Sequence, residues 1–126
     1  MAAHEFMQYK NWVVAGNVQD ESKFAHEILH TLRAKGFNAE GYHPNPDKGP
    51  GIYHDFKALP FKPDVLDLVI HPALGIQVVK DAYDAGIMRV MAQPGARTEE
   101  IETWCRDHGM EYVEKCALVE MDLMTV

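Results

Sequence analysis

Three times in this chain a helix-like segment ends in a glycine and runs directly into a short apolar strand. Ala34-Lys35-Gly36 precedes residues 37–42, Asp84-Ala85-Gly86 precedes residues 87–92, and Asp107-His108-Gly109 precedes residues 110–114. A glycine just past a helix end takes the left-handed conformation that other residues resist. Helix, glycine, strand, repeated at this pitch, predicts an α/β domain built around a mostly parallel sheet. The 126 residues fit one such domain, spanning residues 1–126.

The remaining elements fall into place around that pattern. Residues 11–15 read as the first strand and residues 22–35 as the first helix, with Phe24, Ala25, Ile28, Leu29 and Leu32 on one side to cover the sheet. Residues 65–70 read as a central strand, and Pro72 suits the first turn of a helix running to about Ala85. Thr98 is a good N-cap for the next helix, with Glu99 and Glu100 in its first turn and Ile101, Trp104 and Cys105 facing inward. Pro44, Pro46, Pro50, Pro60 and Pro63 make residues 43–63 mostly loop, with room for one short strand near Ile52 and Tyr53. The apolar, partly alternating tail, residues 117–126, is expected to add an edge strand or a contact with a second subunit.

Charge and composition exclude several classes of function. The net charge is −7 and the chain has no run of Lys or Arg, so a nucleic-acid partner is not expected. A small anion remains compatible, because a few oriented backbone N–H groups override a weakly acidic surface locally. No apolar run reaches the ~18 residues of a membrane span, and residues 1–10 lack a signal-peptide pattern. Cys105 and Cys116 form no CxxC pair. The expected compartment is the cytoplasm.

In a parallel sheet, ligands sit beyond the carboxyl ends of the strands, where the strand order reverses. That rule picks out Gly16-Asn17-Val18, Tyr42-His43-Pro44, His71-Pro72 and Gln93-Pro94-Gly95 as candidate site segments. The loop after the first strand has a single glycine, where a dinucleotide fingerprint needs three. Gly16 still lets the chain turn sharply toward a phosphate, so a bulky residue there should cost the ligand. The match His26-Glu27-Ile28-Leu29-His30 to the zinc-protease pattern HExxH is read differently. Both histidines lie roughly 160° from the apolar stripe at about 100° per residue, so they are expected to face solvent and carry no peptidase site. The methionines Met88, Met91, Met110, Met121 and Met124 read as packing.

Taken together, these segments resemble a known family. Val13-Val14-Ala15-Gly16, Lys23, Tyr42-His43-Pro44 (with Asn45-Pro46 just beyond), Leu66-Asp67-Leu68-Val69, Gln93-Pro94-Gly95 and Cys116 follow the order and spacing of the small bacterial and archaeal CoA-binding proteins. These are similar to the CoA-binding domain of the succinyl-CoA synthetase alpha subunit. The chain departs from that pattern where Asn17-Val18 replaces Ala-Ser, Met91 replaces tryptophan and His43 replaces asparagine.

The resemblance implies a Rossmann-like three-layer αβα sandwich with a mostly parallel sheet of five or six strands. It implies CoA or an acyl-CoA as the ligand, bound without catalysis by this chain alone. Backbone N–H groups of Asn17 and Val18 would hold the diphosphate with Lys23 as charge partner. His43 and Pro44 would flank the adenosine, and His71, Pro72, Gln93 and Pro94 would line the cleft. Two other readings use the same sheet: an NAD(P)-type oxidoreductase or sensor, and a non-binding dimeric interaction module. An NAD domain carries an acid at the end of its second strand. Here Glu40 lies within the strand and Asp47 beyond two prolines, whereas Lys48 would add a positive charge suited to the 3′-phosphate of CoA.

Overall fold

The computed structural model describes residues 3–46 and 51–123. Six strands form one sheet: β1 (Asn11–Ala15), β2 (Asn38–Tyr42), β3 (Ile52–Tyr53), β4 (Val65–Leu68), β5 (Arg89–Ala92) and β6 (Glu111–Val113). Their order across the sheet is β3-β2-β1-β4-β5-β6, and every pair is parallel. The helices are α1 (Ala3–Phe6), α2 (Phe24–Ala34), α3 (Pro72–Asp84), α4 (Glu99–Asp107) and α5 (Ala117–Leu123). This is the Rossmann-like α/β sandwich, with the order reversing between β1 and β4.

The central strands are buried on both faces, as a parallel sheet between helices requires. Side chains alternate across the sheet. Val13, Ala15, Leu66, Leu68, Val90 and Ala92 pack with Val78, Val79 and Ala82 of α3 and with Ile101 and Cys105 of α4. Trp12, Val14, Val65 and Met91 pack on the other face with Phe6 of α1, with Ala25, Ile28, Leu29 and Leu32 of α2, and with Ala117 and Met121 of α5. All three helix-ending glycines have positive φ: +91° at Gly36, +85° at Gly86 and +74° at Gly109.

Three sequence expectations change. The tail forms helix α5, not an edge strand. Its buried residues, Ala117, Glu120 and Met121, recur at helical spacing rather than in alternation. Phe24 is 71% exposed rather than inward. As the first residue of α2 it precedes the length of helix that the sheet covers. His26 is half-buried instead of solvent-facing, and its Nδ1 lies 2.8 Å from the Val18 carbonyl. Wheel angles describe where a side chain leaves the helix, not whether a neighbouring loop folds back to meet it. His30, by contrast, is exposed as expected.

Candidate functional site

The chain leaves β1 at Gly16, whose N–H donates to the Tyr42 carbonyl at 3.0 Å. A Cβ at Gly16 would lie 2.8 Å from the Val69 carbonyl oxygen and 3.0 Å from the Cβ of Ala25. Glycine is therefore required where β1 passes close to the end of β4 and the start of α2, before any ligand is considered. The loop then turns tightly. The Val18 N–H donates to the Gly16 carbonyl at 3.0 Å, and the Asp20 carboxylate accepts from the N–H and hydroxyl of Ser22 at 3.0 and 2.7 Å. Those bonds hold the Asp20 carboxyl below its ordinary pKa. Val18 fits against β2 because position 41 is glycine; a Cβ there would overlap the Val18 Cγ2.

Helix α2 begins with no side-chain cap. Its N-cap residue, Lys23, is extended (φ −103°, ψ 149°) and contributes no capping hydrogen bond. The start of the helix, whose first-turn N–H groups have no acceptor inside it, borders a pocket of about 190 Å³ lined by Asn17, Lys23, Phe24, His71, Pro94 and Gly95, among others. A second pocket of about 410 Å³ adjoins it, lined by Asn17, His43, Pro44, Asn45, Ile70, His71 and Leu74. Asn17, Ile70 and His71 belong to both, so the two pockets form one cleft at the point where the strand order reverses. Among the described lining residues there is no carboxylate. The Asn17 Oδ1 is buried there with no hydrogen-bond partner.

The two cleft histidines share a local device. The Nδ1 of His43 accepts the Asn45 N–H at 3.0 Å, and the Nδ1 of His71 accepts the Ala73 N–H at 3.1 Å. Each bond fixes Nε2 as the protonated nitrogen of the neutral ring. His71 is thereby the N-cap of α3, with Pro72 in the first turn. His43 is 3% exposed, and its carbonyl meets the Nδ1 of His54 at 2.8 Å.

Gln93 has a different fate. It is 3% exposed, belongs to neither pocket lining, and donates through Nε2 to the Asp67 Oδ1 at 2.6 Å. Asp67 is fully buried in β4, and burial pushes its carboxyl up to about 7, opposed by the Gln93 hydrogen bond.

The structure thus brings Asn17, Lys23, His43, Pro44, His71 and Pro94 together around one cleft. It places Gly16, Val18 and Pro72 behind the lining as supports, and it turns Gln93 inward. The Val18 N–H, expected to hold a diphosphate, is engaged by Gly16. Sequence reasoning missed Phe24 and Leu74 on the rim; their exposure, 71% and 45%, depends on where the helices end relative to the sheet. Asp47 and Lys48 lie outside the described residues. A separate pocket of about 260 Å³ is lined by Tyr42, His54, Asp55, Lys57, Asp81 and Asp84, and its three carboxylates make it a poor anion site.

Comparison with known proteins agrees with this geometry. Residues 10–122 match the model of a CoA binding domain family. A conserved hypothetical protein from Pyrococcus furiosus is 34% identical, with 89% of this chain and 99% of that one covered at a TM-score of 0.79. A Thermus thermophilus protein is 24% identical over 98% of this chain and 99% of its own, with a TM-score of 0.83. An acetyl-coenzyme A synthetase from Ca. Korarchaeum cryptofilum matches 90% of this chain with only 27% of its own length, at 23% identity and a TM-score of 0.66. Comparison with curated proteins returned no match. The ordered motifs, the sheet and the family match along nearly the whole described chain converge on one assignment: the chain belongs to the CoA-binding domain family.

Proposed function

We propose that the chain binds CoA or an acyl-CoA across the carboxyl ends of β1, β2 and β4, without catalysis of its own. Asn17 carries this reading. Its side-chain amide has a buried oxygen without a partner, beside the uncapped start of α2 and in a cleft whose described lining holds no carboxylate. An amide offers its oxygen or, turned over, its N–H₂ group. A diphosphate only accepts, so at that point it would take the N–H₂ of the turned Asn17 amide together with the first-turn N–H groups of α2, with Lys23 supplying charge. The pocket of His43, Pro44 and Asn45 takes the adenosine. The exposed apolar side chains of Phe24 and Leu74 suit the pantetheine arm and any acyl group.

The reading without catalysis draws support from a histidine tautomer. His71 uses Nδ1 to accept a backbone N–H, which makes its Nε2–H a donor to ligand rather than a base. We place the protein in the cytoplasm. Cys105 and Cys116 are free thiols, and no described helix is long and apolar enough to cross a membrane.

Calorimetry with CoA, dephospho-CoA and NAD tests the proposal. CoA is expected to bind best, with loss of the 3′-phosphate costing about 1–3 kcal/mol. Glu40, the acid within β2, is paired with Arg33 at 2.9 Å, and the lining of the cleft holds no described carboxylate to grip a ribose. Tightest binding to NAD, or no nucleotide binding, overturns the reading. An interaction module is the second reading, favoured by Val119 and Leu123, which lie one turn apart on α5 and are 57% and 63% exposed. Sedimentation of the ligand-free protein as a dimer would support it.

A further inference from the structure

We propose that His26 is a positioning residue for the ligand-binding loop, so that half of the HExxH match holds the β1–α2 turn in place instead of holding a metal. The role rests on the proposed function of the cleft. Val18 is fixed on two sides. Its side chain sits over Gly41 of β2, and its carbonyl oxygen lies 2.8 Å from the Nδ1 of His26, in the first turn of α2. A carbonyl oxygen only accepts, so Nδ1 carries the hydrogen, which in a neutral ring fixes the Nδ1–H tautomer. This is the opposite tautomer to that of His43 and His71.

The bond spans the loop from the inside. Val18 follows Asn17, which lines the cleft and has a buried amide oxygen, and His26 lies in the first turn of α2, whose residues Phe24 and Ala25 line the same cleft. His26 therefore couples the two phosphate-binding elements without lining the cleft itself. Its ring lies 4.2 Å, centroid to centroid, from that of His30, which is exposed and makes no such bond. Among the described residues no group of three or more His, Cys, Asp or Glu side chains is placed to hold a metal ion.

Three substitutions separate the tether from simple packing. An asparagine places its amide N–H₂ near the position of Nδ1, whereas a glutamine places it near Nε2 and alanine removes it. His26→Ala and His26→Gln are expected to weaken CoA binding about tenfold, the scale of one lost hydrogen bond. His26→Asn is expected to bind within about twofold of wild type. In parallel, imidazole ¹⁵N shifts of the wild-type protein should report Nδ1 of His26 as protonated while those of His43 and His71 report Nε2. Undiminished CoA affinity in His26→Ala, equal losses in all three variants, or an Nε2–H tautomer at His26 each overturn the positioning role. Absence of CoA binding by the wild-type chain overturns the proposed function and this role with it, whereas a His26→Ala variant that binds as wild type does overturns this role alone.

Discussion

Neighbouring strands β4 and β5 both run out into a polar residue followed by proline, and the two polar side chains go opposite ways. His71 stands three residues past the end of β4, exposed, capping α3 and lining both halves of the cleft. Gln93 stands one residue past β5 and is turned back under the sheet onto Asp67. Parity explains part of the difference, since Gln93 lies on the same face as Met91, which sits beside Asp67 in the parallel register. Need explains the rest. A fully buried carboxyl without its amide would be left with no partner, and an unsatisfied buried acceptor costs more than a cleft contact returns. A polar residue at a strand end thus serves a ligand only when the core does not claim it first.

That contrast can be broken most forcefully at Asp67. Its folded pKa, about 7, lies above the ordinary 3.8, so the folded state holds the proton more tightly than the unfolded chain. The stability this contributes is fully present below about 3.8 and is lost as pH rises to about 7. Wild-type stability in urea should fall across that window by up to about 4 kcal/mol relative to Asp67→Asn, which keeps an acceptor for Gln93. Parallel curves for the two proteins would refute it. Gln93→Leu comes next, with a loss of about 2–3 kcal/mol at pH 8 that shrinks at pH 5, and with CoA affinity changed less than about threefold. Should affinity collapse while stability holds, Gln93 belongs to the cleft and the contrast fails.

His71→Ala is expected to cost about 1 kcal/mol through the lost cap of α3, and calorimetry should show weaker CoA binding as well. His71→Ser sharpens the point, because a hydroxyl restores the cap but not the ring. Thermal stability should recover while affinity stays low. The smallest effect belongs to His30, exposed on α2, where alanine should change stability by no more than about 0.5 kcal/mol.

Most of the architecture was legible because its signals are local. The three helix-ending glycines, Pro72 in the first turn of α3 and Thr98 as the N-cap of α4 each act within a few residues. The Thr98 hydroxyl accepts the Ile101 N–H at 3.1 Å, as its position predicts. The six-stranded parallel sheet follows from such signals in series. The cleft was legible in part, since the strand-end rule found Asn17, His43 and His71 but could not tell lining from support. Gly16 faces the Val69 carbonyl, Val18 faces Gly41, Gln93 faces Asp67 and His26 faces Val18; each pairing joins segments that only the fold brings together. The tail misled because a short segment such as Ala117–Leu123 fits alternation and helical spacing alike until its packing against α2 decides.

The sheet ends at both sides in very short strands, two residues in β3 and three in β6. Few unpaired backbone groups are therefore offered along either margin, and short edges of this kind are poor templates for adding a strand from another chain. Fibrillar or edge-to-edge growth is disfavoured by geometry. The helix faces, rather than the two sheet margins, are the larger surfaces this fold offers to another chain.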